Sequence, residues 1–592
     1  RVDMRGNGDS DGIMQDEYTE LELSDGVEII NWLAAQSWCT GKVGMMGISW
    51  GGFNSLQIAE LAPEPLKAII TLCSTVDRYA DDIHYKGGCL LNENLGWGST
   101  MWSYSSRPPD PMVVGDAWAN MWTQRMKAEP FLPIKWLKHQ TRDNYWKHGS
   151  VCENYDGIQS AVLAIGGWGD AYKNAVSHLV SNIKSPVKGL VGPWVHKYPH
   201  FAVPEPKIGF LQEALRWWDR WLKDIETGVE KDPKYTVHLM DGVRPQSWYA
   251  ERPGVWVNED NWPDGPNMST FSLAKNSKLA EYHITQDLND TVCSPQDCGL
   301  DGGEYCAIWL GPEMPGDQRR DDSYSQCYDS ETLTERLDII GSPVIQLKIK
   351  SDSKSGQVIV RLNHIHPDGA STRITYGCLN LSHRNGHEQI SDLVPNELMD
   401  IEVILDQIAY RVPEGHKIRV SISNCYWPLL WPMPHNSTLT LVQGIFDLPI
   451  SSHGDLDERK FQPAVVGEPW KIETLREGGN QRGVKRDLKS GIVTTEIIDD
   501  FGKRMDKEHG LITGSIAREW WSIHPDDPLS AHGRTHWTEE IERADWSVRT
   551  ETYAEMWSDY DTFYLKASLM AFHNGDLVFE KEFNEEIQRL GH

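Results

Sequence analysis

The stretch that decides the fold reads Lys42-Val43-Gly44-Met45-Met46-Gly47-Ile48-Ser49-Trp50-Gly51-Gly52. An apolar run suited to a buried strand leads into Gly-x-Ser-x-Gly, and a helical pattern follows it. A bare Gly-x-Ser-x-Gly is also found in solvated glycine-rich turns. The strand before this one and the helix after it instead favour a nucleophile elbow, with Ser49 as the nucleophile.

The sharp turn also restricts which residues can stand beside the serine. We expect Gly47 and Gly51 to be required because the neighbouring backbones come too close for a Cβ atom, whereas Gly52 adds only slack. The turn places the Trp50 backbone N–H beside the hydroxyl at a helix N-terminus. There it can donate a hydrogen bond to a developing oxyanion.

Outward from this stretch, strand and helix patterns alternate along the chain. A helical pattern covers residues 20–36, apolar runs begin at 66, 161 and 187, and an amphipathic pattern covers 207–225. Such alternation predicts a parallel sheet with right-handed crossovers. The predicted fold class is therefore α/β, with a hydrolase-type domain formed by residues 1–74 and 155–226.

Residues 75–154 interrupt the alternation and are rich in tryptophan. The chain has 26 Trp, more than its 20 Tyr or its 12 Phe. We predict a helical cap over the carboxyl edge of the sheet, where it would shape a substrate pocket. The candidate pocket residues are Trp97 and Trp102 from the cap and Trp168 from the sheet.

After Gly228 the pattern changes to period two, which marks a second domain. Apolar and polar residues alternate over 342–350 and 418–423, and an Asn-Gly turn joins two further runs between 563 and 583. The pattern predicts an antiparallel β-sandwich over 227–592. A sub-boundary between 450 and 490 is left open.

The two predicted strands that follow the cap end in polar residues suited to catalysis. A serine needs a base, and the base needs a group that fixes its tautomer. Asp170 and His196 give the order Ser, Asp, His that is expected of an α/β-hydrolase. A helix N-cap is the alternative role for Asp170. His178 and His200 are weaker alternatives to His196, since one lies in a helical pattern and the other in a proline-rich loop.

Composition limits the partners of this protein. Its 592 residues carry a formal charge of −29, which would repel a phosphate backbone, and no run of eighteen apolar residues indicates a membrane span. We expect a small ester or short peptide as substrate, and neither nucleic acid nor membrane as partner. A homo-oligomer and the cellular compartment are left open, with the cytoplasm favoured.

Neither a cofactor nor a metal site is predicted. His364 and His366 would share one face of a strand, but without a third ligand nearby in sequence we interpret them as a solvated strand edge. The cysteines at 293, 298, 306 and 327 are spaced too widely for a zinc site. Disulfides and free thiols both remain open for these cysteines.

Several short motifs resemble the cocaine esterase and X-Pro dipeptidyl-peptidase family of acyl hydrolases. They are Arg5-Gly6-x-Gly8-x-Ser10-x-Gly12, Trp38-Cys39-x-Gly41-Lys42-Val43-Gly44-Met45-x-Gly47-x-Ser49-x-x-Gly52, Gly167-Trp168-x-Asp170, Gly192-Pro193-Trp194-x-His196, His366-Pro367-Asp368-Gly369 and Gly415-His416-Lys417-Ile418-Arg419. The resemblance implies a hydrolase domain, a helical cap, a jelly-roll-like C-terminal domain and the triad Ser49, Asp170 and His196.

The resemblance also implies an oxyanion-hole tyrosine on a loop that precedes this sequence. We therefore expect a fragment that lacks its first strands and is inactive or poorly folded by itself, whereas a version extended upstream should be an active hydrolase. The predicted activity is that of a serine esterase working through an acyl-enzyme. An X-Pro dipeptidyl-peptidase or an α-amino-acid ester acylase is the alternative, with Asp77, Asp81 and Asp82 available to bind an amine. A non-catalytic β-sandwich binding protein is the alternative from another class.

Overall fold

The computed structural model describes residues 2–264, 267–281, 287–308 and 311–592. Within these residues, no helix combines the length and the apolar character that a membrane crossing requires. The first part of the chain contains α1 (Glu20–Ala34), β1 (Val43–Ile48), α2 (Trp50–Glu60), β2 (Leu66–Leu72), β3 (Tyr85–Lys86), β4 (Cys89–Leu90), α3 (Glu93–Ser105), α4 (Pro111–Val114), α5 (Trp118–Ala128), α6 (Leu132–Leu137), α7 (Asn144–Lys147), β5 (Ala161–Gly167), α8 (Lys173–Asn182), β6 (Val187–Gly192), α9 (Phe210–Lys223), β7 (Tyr235–Asp241) and β8 (Gly254–Asn258).

A parallel sheet organises this part of the chain. Strands β1, β2, β5, β6 and β7 pair in that order and all run parallel, while β8 pairs antiparallel with β7. The carboxyl ends of these strands therefore meet at one edge of the sheet. The predicted α/β fold class is confirmed.

The helices α3 to α7 lie between β2 and β5, in the segment predicted to be a cap. Their tryptophans form a core with side chains from the last strands of the chain, including Trp102, Trp122 and Trp136 on one side and Trp521 and Met556 on the other. Most of the tryptophans in this segment therefore fill the space between two layers. We keep the division of the chain into hydrolase, cap and β domains as a proposal.

The middle of the chain folds into mainly antiparallel strands, as predicted. They are β9 (Asn267–Ala274), β10 (Lys278–Ala280), β11 (Asp290–Val292), β12 (Gln326–Asp329), β13 (Leu337–Gly341), β14 (Val344–Ser351), β15 (Gln357–Ile365), β16 (Ser371–Asn380), β17 (Met399–Ile404), β18 (Ile408–Val412), β19 (Lys417–Ser423) and β20 (Leu439–Ser451), with the short helix α10 (Arg319–Ser323) before β12. Strand β18 also pairs parallel with β7, through Tyr410 opposite Met240. This pairing joins the sandwich to the hydrolase sheet.

The end of the chain forms a separate eight-stranded antiparallel sheet, which we call the C-terminal sheet. Its strands are β21 (Ile472–Arg476), β22 (Gly479–Arg486), β23 (Val493–Asp506), β24 (Ile512–His524), β25 (Asp527–Arg543), β26 (Trp546–Ser558), β27 (Thr562–His573) and β28 (Asp576–Gln588). Asn574 and Gly575 close the last hairpin with φ of 51° and 91°, as the Asn-Gly signal predicts. Within the described residues this hairpin belongs to the C-terminal sheet and not to the sandwich strands.

Candidate active site

Ser49 lies between β1 and α2 in an unusual backbone conformation. Its φ is 57° and its ψ is −128°, which a residue with a Cβ adopts only when its surroundings hold it there. Its N–H donates to the Leu72 carbonyl at 3.0 Å, and its own carbonyl accepts from Phe53 N at 2.9 Å. Neighbouring elements thus hold the serine on a sharp turn at the end of a strand.

The glycines around Ser49 differ from the sequence expectation. A Cβ on Gly47 would lie 2.3 Å from the Gly51 backbone, so Gly47 is required. A Cβ on Gly51 would meet nothing within 4 Å, whereas one on Gly52 would lie 2.7 Å from the Leu72 carbonyl oxygen. The prediction for Gly51 was wrong, because the close approach to strand β2 falls on Gly52.

Asp170 and His196 come together at the carboxyl edge of the sheet. They follow β5 and β6, and His196 Nδ1 lies 2.9 Å from Asp170 Oδ1, with both side chains buried. Helix α8 has Tyr172 and not Asp170 at its N-cap. His200 stacks against Phe210 instead, with 5.5 Å between ring centres.

The surroundings of Asp170 keep its carboxylate ionised. Burial opposes ionisation, but the facing His196 and its hydrogen bond outweigh burial and lower the pKa of Asp170. Two thiols also face this carboxylate, and Cys306 Sγ lies 3.7 Å from its Oδ1. Burial raises the pKa of Cys73 and of Cys306, so both thiols stay protonated and can donate to Asp170.

Ser49 and His196 line the same cavity. The other lining residues are Glu17, Tyr18, Asp82, Ile83, Glu93, Trp97, Tyr172, Cys306 and Ile308. Of the predicted pocket tryptophans, Trp97 is in this set. Trp168 lines a separate cavity, and its indole donates to the His238 carbonyl at 2.9 Å. Trp102 donates to the Ser568 carbonyl within the core between the cap helices and the C-terminal sheet.

Three carboxylates face this cavity, and sequence reasoning named only one of them, Asp82. Glu17 accepts a hydrogen bond from Trp97 Nε1 at 2.5 Å and lies 3.7 Å from His84 Nε2. Burial raises the pKa of Asp82 to about 6 and that of Glu93 to about 8. Glu17 and Glu93 belong to no spacing motif, so the sequence offered no signal for them.

The other two predicted amine-binding acids are engaged elsewhere. Asp77 forms an ion pair with Arg142 at 3.0 Å. Asp81 accepts a hydrogen bond from Asn174 at 2.8 Å. Neither side chain is among the residues that line the cavity with Ser49.

Trp50 is the first residue of α2, directly after Ser49. The first N–H groups of a helix have no acceptor within the helix, and the Trp50 backbone N–H is one of them. The Trp50 indole donates to Glu22 Oε1 at 2.5 Å, which fixes the side chain.

Two predictions about histidines and cysteines are resolved by the structure. His364 and His366 do not lie on a solvated edge, because β15 is paired on both sides, with β16 and with β19, and both side chains are buried. The ten cysteines, all within the described residues, are free thiols, so the disulfide alternative does not apply.

The fold and the site define the class of the protein, which is a serine hydrolase of the α/β-hydrolase type. Residues 1–198 of the chain match the X-Pro dipeptidyl-peptidase (S15) family. Residues 227–465 match the X-Pro dipeptidyl-peptidase C-terminal non-catalytic domain. The resemblance inferred from the motifs is confirmed, and the whole C-terminal sheet lies beyond both matches.

Relatives of this chain include both esterases and peptidases. It is 23% identical over 452 residues to cocaine esterase from Rhodococcus sp. (strain MB1 Bresler), and the aligned region covers 68% of this chain and 76% of the relative. It is 21% identical over 474 residues to Xaa-Pro dipeptidyl-peptidase from Lactobacillus delbrueckii subsp. bulgaricus, and the aligned region covers 70% of this chain and 57% of the relative.

Solved structures share the fold at low sequence identity. A CocE/NonD family hydrolase from Staphylococcus aureus superposes with a TM-score of 0.60 at 16% identity, covering 76% of this chain and 78% of the other. An α-amino acid ester hydrolase superposes with a TM-score of 0.61 at 16% identity, covering 76% and 84%. These structures support the shared architecture.

Proposed function

We propose that the chain hydrolyses acyl esters or amides through a triad of Ser49, His196 and Asp170. The observation that carries this proposal is the 2.9 Å contact between Asp170 Oδ1 and His196 Nδ1, in a ring that lines the same cavity as Ser49. With Nδ1–H donated to Asp170, His196 Nε2 carries the lone pair that a general base needs. Nucleic acid, a membrane and a second copy of the chain have no part in the proposal.

The reaction follows from these positions. Ser49 Oγ attacks the acyl carbon as its proton passes to His196 Nε2, and the oxyanion accepts a hydrogen bond from Trp50 N–H. Collapse of this intermediate expels the leaving group, which takes the proton from His196. Water then attacks the acyl-enzyme, its proton passes to His196, and that proton returns to Ser49 as the carboxylic acid departs. Asp170 stabilises the imidazolium in both steps.

Covalent labelling tests the nucleophile directly. A fluorophosphonate should label the wild-type chain and fail to label Ser49→Ala, because only an activated serine attacks phosphorus at a useful rate. Ser181→Ala is the matched control, since Ser181 lies on α8 and donates to the Ser177 carbonyl. Labelling of Ser49→Ala would refute the proposal. A folded wild-type chain that is never labelled would favour the non-catalytic binding protein if a version extended upstream is not labelled either.

Within this reaction class, the acids around the cavity favour an acyl group with a free α-ammonium. Glu17, Asp82 and Glu93 face the cavity, and its described lining includes no lysine or arginine. Arg78 lies behind the cavity wall, with its guanidinium 5.0 Å from the ring centre of Tyr18. A charge-assisted hydrogen bond contributes about 1.5–3 kcal/mol. This observation favours an amino-acyl ester hydrolase or a dipeptidyl-peptidase over an esterase for neutral acyl groups.

Paired substrates test this preference. Phenylalanine methyl ester should be cleaved with a kcat/KM about 10- to 100-fold above that of methyl 3-phenylpropionate, which lacks only the amine. Asp82→Asn should reduce this ratio, while Asp116→Asn, at an exposed position in the cap segment, should not. Equal rates for the two esters would instead favour an esterase for neutral acyl groups. Faster cleavage of Xaa-Pro anilides than of either ester would identify a dipeptidyl-peptidase.

A further inference from the structure

Three histidines meet in the sandwich, away from the catalytic cavity. His364 lies near the end of β15, His366 follows it in the next turn, and His416 directly precedes β19, which pairs with β15. One ring nitrogen from each histidine lies within 4.8 Å of the other two. His364 and His366 are buried, and His416 is partly exposed, so solvent reaches the cluster from one side.

Hydrogen bonds around the cluster assign the free nitrogen of His366. The Thr372 hydroxyl donates to the Val243 carbonyl at 2.9 Å, so it must accept from His366 Nε2, which lies 3.0 Å away. This leaves the lone pair on Nδ1. An outer hydrogen bond that fixes the tautomer of a histidine is the usual support for a metal ligand.

The other two histidines approach each other directly. His364 Nε2 lies 2.6 Å from His416 Nδ1, while its Nδ1 contacts the Tyr410 hydroxyl at 2.9 Å. The Tyr410 contact fixes the ring and presents Nε2 to His416. Without an ion, a proton must lie between the two nitrogens. An ion bound to both would replace that proton and widen the separation to about 3.3 Å, the spacing of ligands in tetrahedral Zn–N geometry. The partly exposed His416 can make this small shift.

Two charged side chains lie beside the cluster, Arg244 and Asp368, and they form an exposed ion pair with each other.

We propose that His364, His366 and His416 form a mononuclear site for a borderline divalent transition-metal ion such as Zn²⁺. Three neutral imidazoles with a water or an anion in the fourth position make a known tetrahedral ligand set for this ion. The site lies outside the catalytic cavity, so it does not depend on the proposed triad.

The position of the cluster indicates a structural role. Gly242 directly follows β7, the last parallel strand of the hydrolase sheet, and a Cβ on it would lie 2.7 Å from the His364 ring. Tyr410, which contacts His364, lies on β18, the strand that pairs with β7. An ion here would cross-link β15 and β19 beside the junction of the two sheets, and binding to the folded state alone would raise the melting temperature.

Cobalt titration of the metal-free full chain tests the site. We expect one Co²⁺ per chain with the visible absorption of tetrahedral coordination, and competition by Zn²⁺. His416→Ala should bind at least tenfold more weakly, and so should Thr372→Val, which removes only the outer hydrogen bond. His435→Ala, at an exposed histidine of the same region, should bind like wild type. Zn²⁺ should raise the melting temperature of the wild type and of His435→Ala more than that of His416→Ala.

Other outcomes would overturn the proposal. Equal Co²⁺ binding by the wild type and by both Thr372→Val and His416→Ala would place the ion elsewhere. A strong near-ultraviolet thiolate band would indicate that Co²⁺ binds a cysteine, such as Cys73 beside Asp170 and His196, and not the three histidines. No bound Co²⁺ at micromolar concentration would leave the three imidazoles as a hydrogen-bonded network only. Thr372→Val keeps the test decisive if His416→Ala fails to fold.

Discussion

Two walls of the catalytic cavity are held in place in different ways. The parallel sheet presents Ser49, Asp170 and His196 on turns at the ends of its strands, where backbone pairing fixes each position. The loop that carries Cys306 and Ile308 contains no strand within its described residues. It is braced by charged side chains, among them an arginine from the C-terminal sheet.

That arginine is Arg482 of β22. Its guanidinium lies 2.6 Å from Glu304 and 3.7 Å from Glu313, and it also pairs with Asp499 at 2.7 Å. Glu313 in turn accepts from the Ile308 backbone N–H at 2.5 Å. We call this set the Arg482 brace.

The brace reaches His196 through the backbone. The backbone N–H of His196 donates to the Ala307 carbonyl at 3.0 Å, one residue before Ile308. In the proposed mechanism, the parallel sheet therefore supplies the reacting groups, while the C-terminal sheet positions them from the other side. We call the wall formed by the parallel sheet the first wall and the loop with Cys306 and Ile308 the second wall. Substitutions in the first wall should abolish hydrolysis, and substitutions that affect the second wall should slow it.

The largest effect is expected in the first wall. Asp170→Asn should lower kcat by about 10⁴-fold, because the amide can no longer hold the His196 tautomer or stabilise the imidazolium. Ester hydrolysis under saturating substrate measures this loss. Asp156→Asn, at an exposed aspartate paired with Lys184, is the control and should retain full activity. A loss below tenfold in folded Asp170→Asn would place the catalytic acid elsewhere.

The next effect concerns how the acids of the cavity respond to pH. Burial raises the pKa of Asp82 to about 6, while His84 and Arg78 favour its ionised form and Glu17 opposes it. Asp82 is therefore mostly protonated at pH 5 and mostly ionised at pH 7, where an α-amino group of pKa about 7.7 is still charged. The rate ratio between amino and desamino esters should rise about tenfold across this range.

Taking the ratio of the two rates cancels every change with pH that is common to both esters. Asp82→Asn should give a ratio that does not change with pH, and Asp116→Asn should keep the wild-type rise. A wild-type ratio that is constant from pH 5 to pH 7 would exclude Asp82 as the amine-binding group.

The same contrast explains what the sequence could reveal. Ser49, Asp170 and His196 follow apolar runs whose spacing marks the ends of strands, so motif and topology together predict them. Glu17 and Glu93 lie on a loop and a helix where nothing in the local pattern distinguishes a cavity acid from a surface acid.

The second wall could not be predicted for a related reason. Arg482 and Glu304 are far apart in sequence and meet only when the C-terminal sheet has packed against the loop that carries Glu304. The three histidines of the sandwich pose the same problem, since His416 joins His364 only through the pairing of β19 with β15. Contacts made by tertiary pairing leave no periodic signal in the chain.

A smaller effect is expected for the Arg482 brace. Arg482→Gln should lower kcat by about tenfold, since a displacement of the His196 backbone by a fraction of an ångström weakens proton transfer. The pH–rate profile should shift as well, which a purely structural role would not require. Arg486→Gln, at an exposed position on the same strand, is the control.

Removing Arg482 also removes the cation that Glu304, Glu313 and Asp499 share, which is destabilising. The double variant Arg482→Gln with Glu304→Gln should recover part of the lost melting temperature. If Arg482→Gln and Arg486→Gln behave alike in kcat and in pH profile, the C-terminal sheet has no positioning role.

The smallest effect tests whether backbone contacts alone hold the first wall. Gly51→Ala should change the free energy of unfolding by no more than about 0.5 kcal/mol, because its Cβ would meet open space and alanine suits a helix better than glycine. Gly47→Ala and Gly52→Ala should be strongly destabilising, since each Cβ would lie within 3 Å of backbone atoms. Urea unfolding of the three variants separates these cases. The contrary outcome is that Gly51→Ala lowers the free energy of unfolding as much as Gly47→Ala does. In that case every glycine of the motif would be required, and close contacts of the added Cβ would not explain which glycines are required.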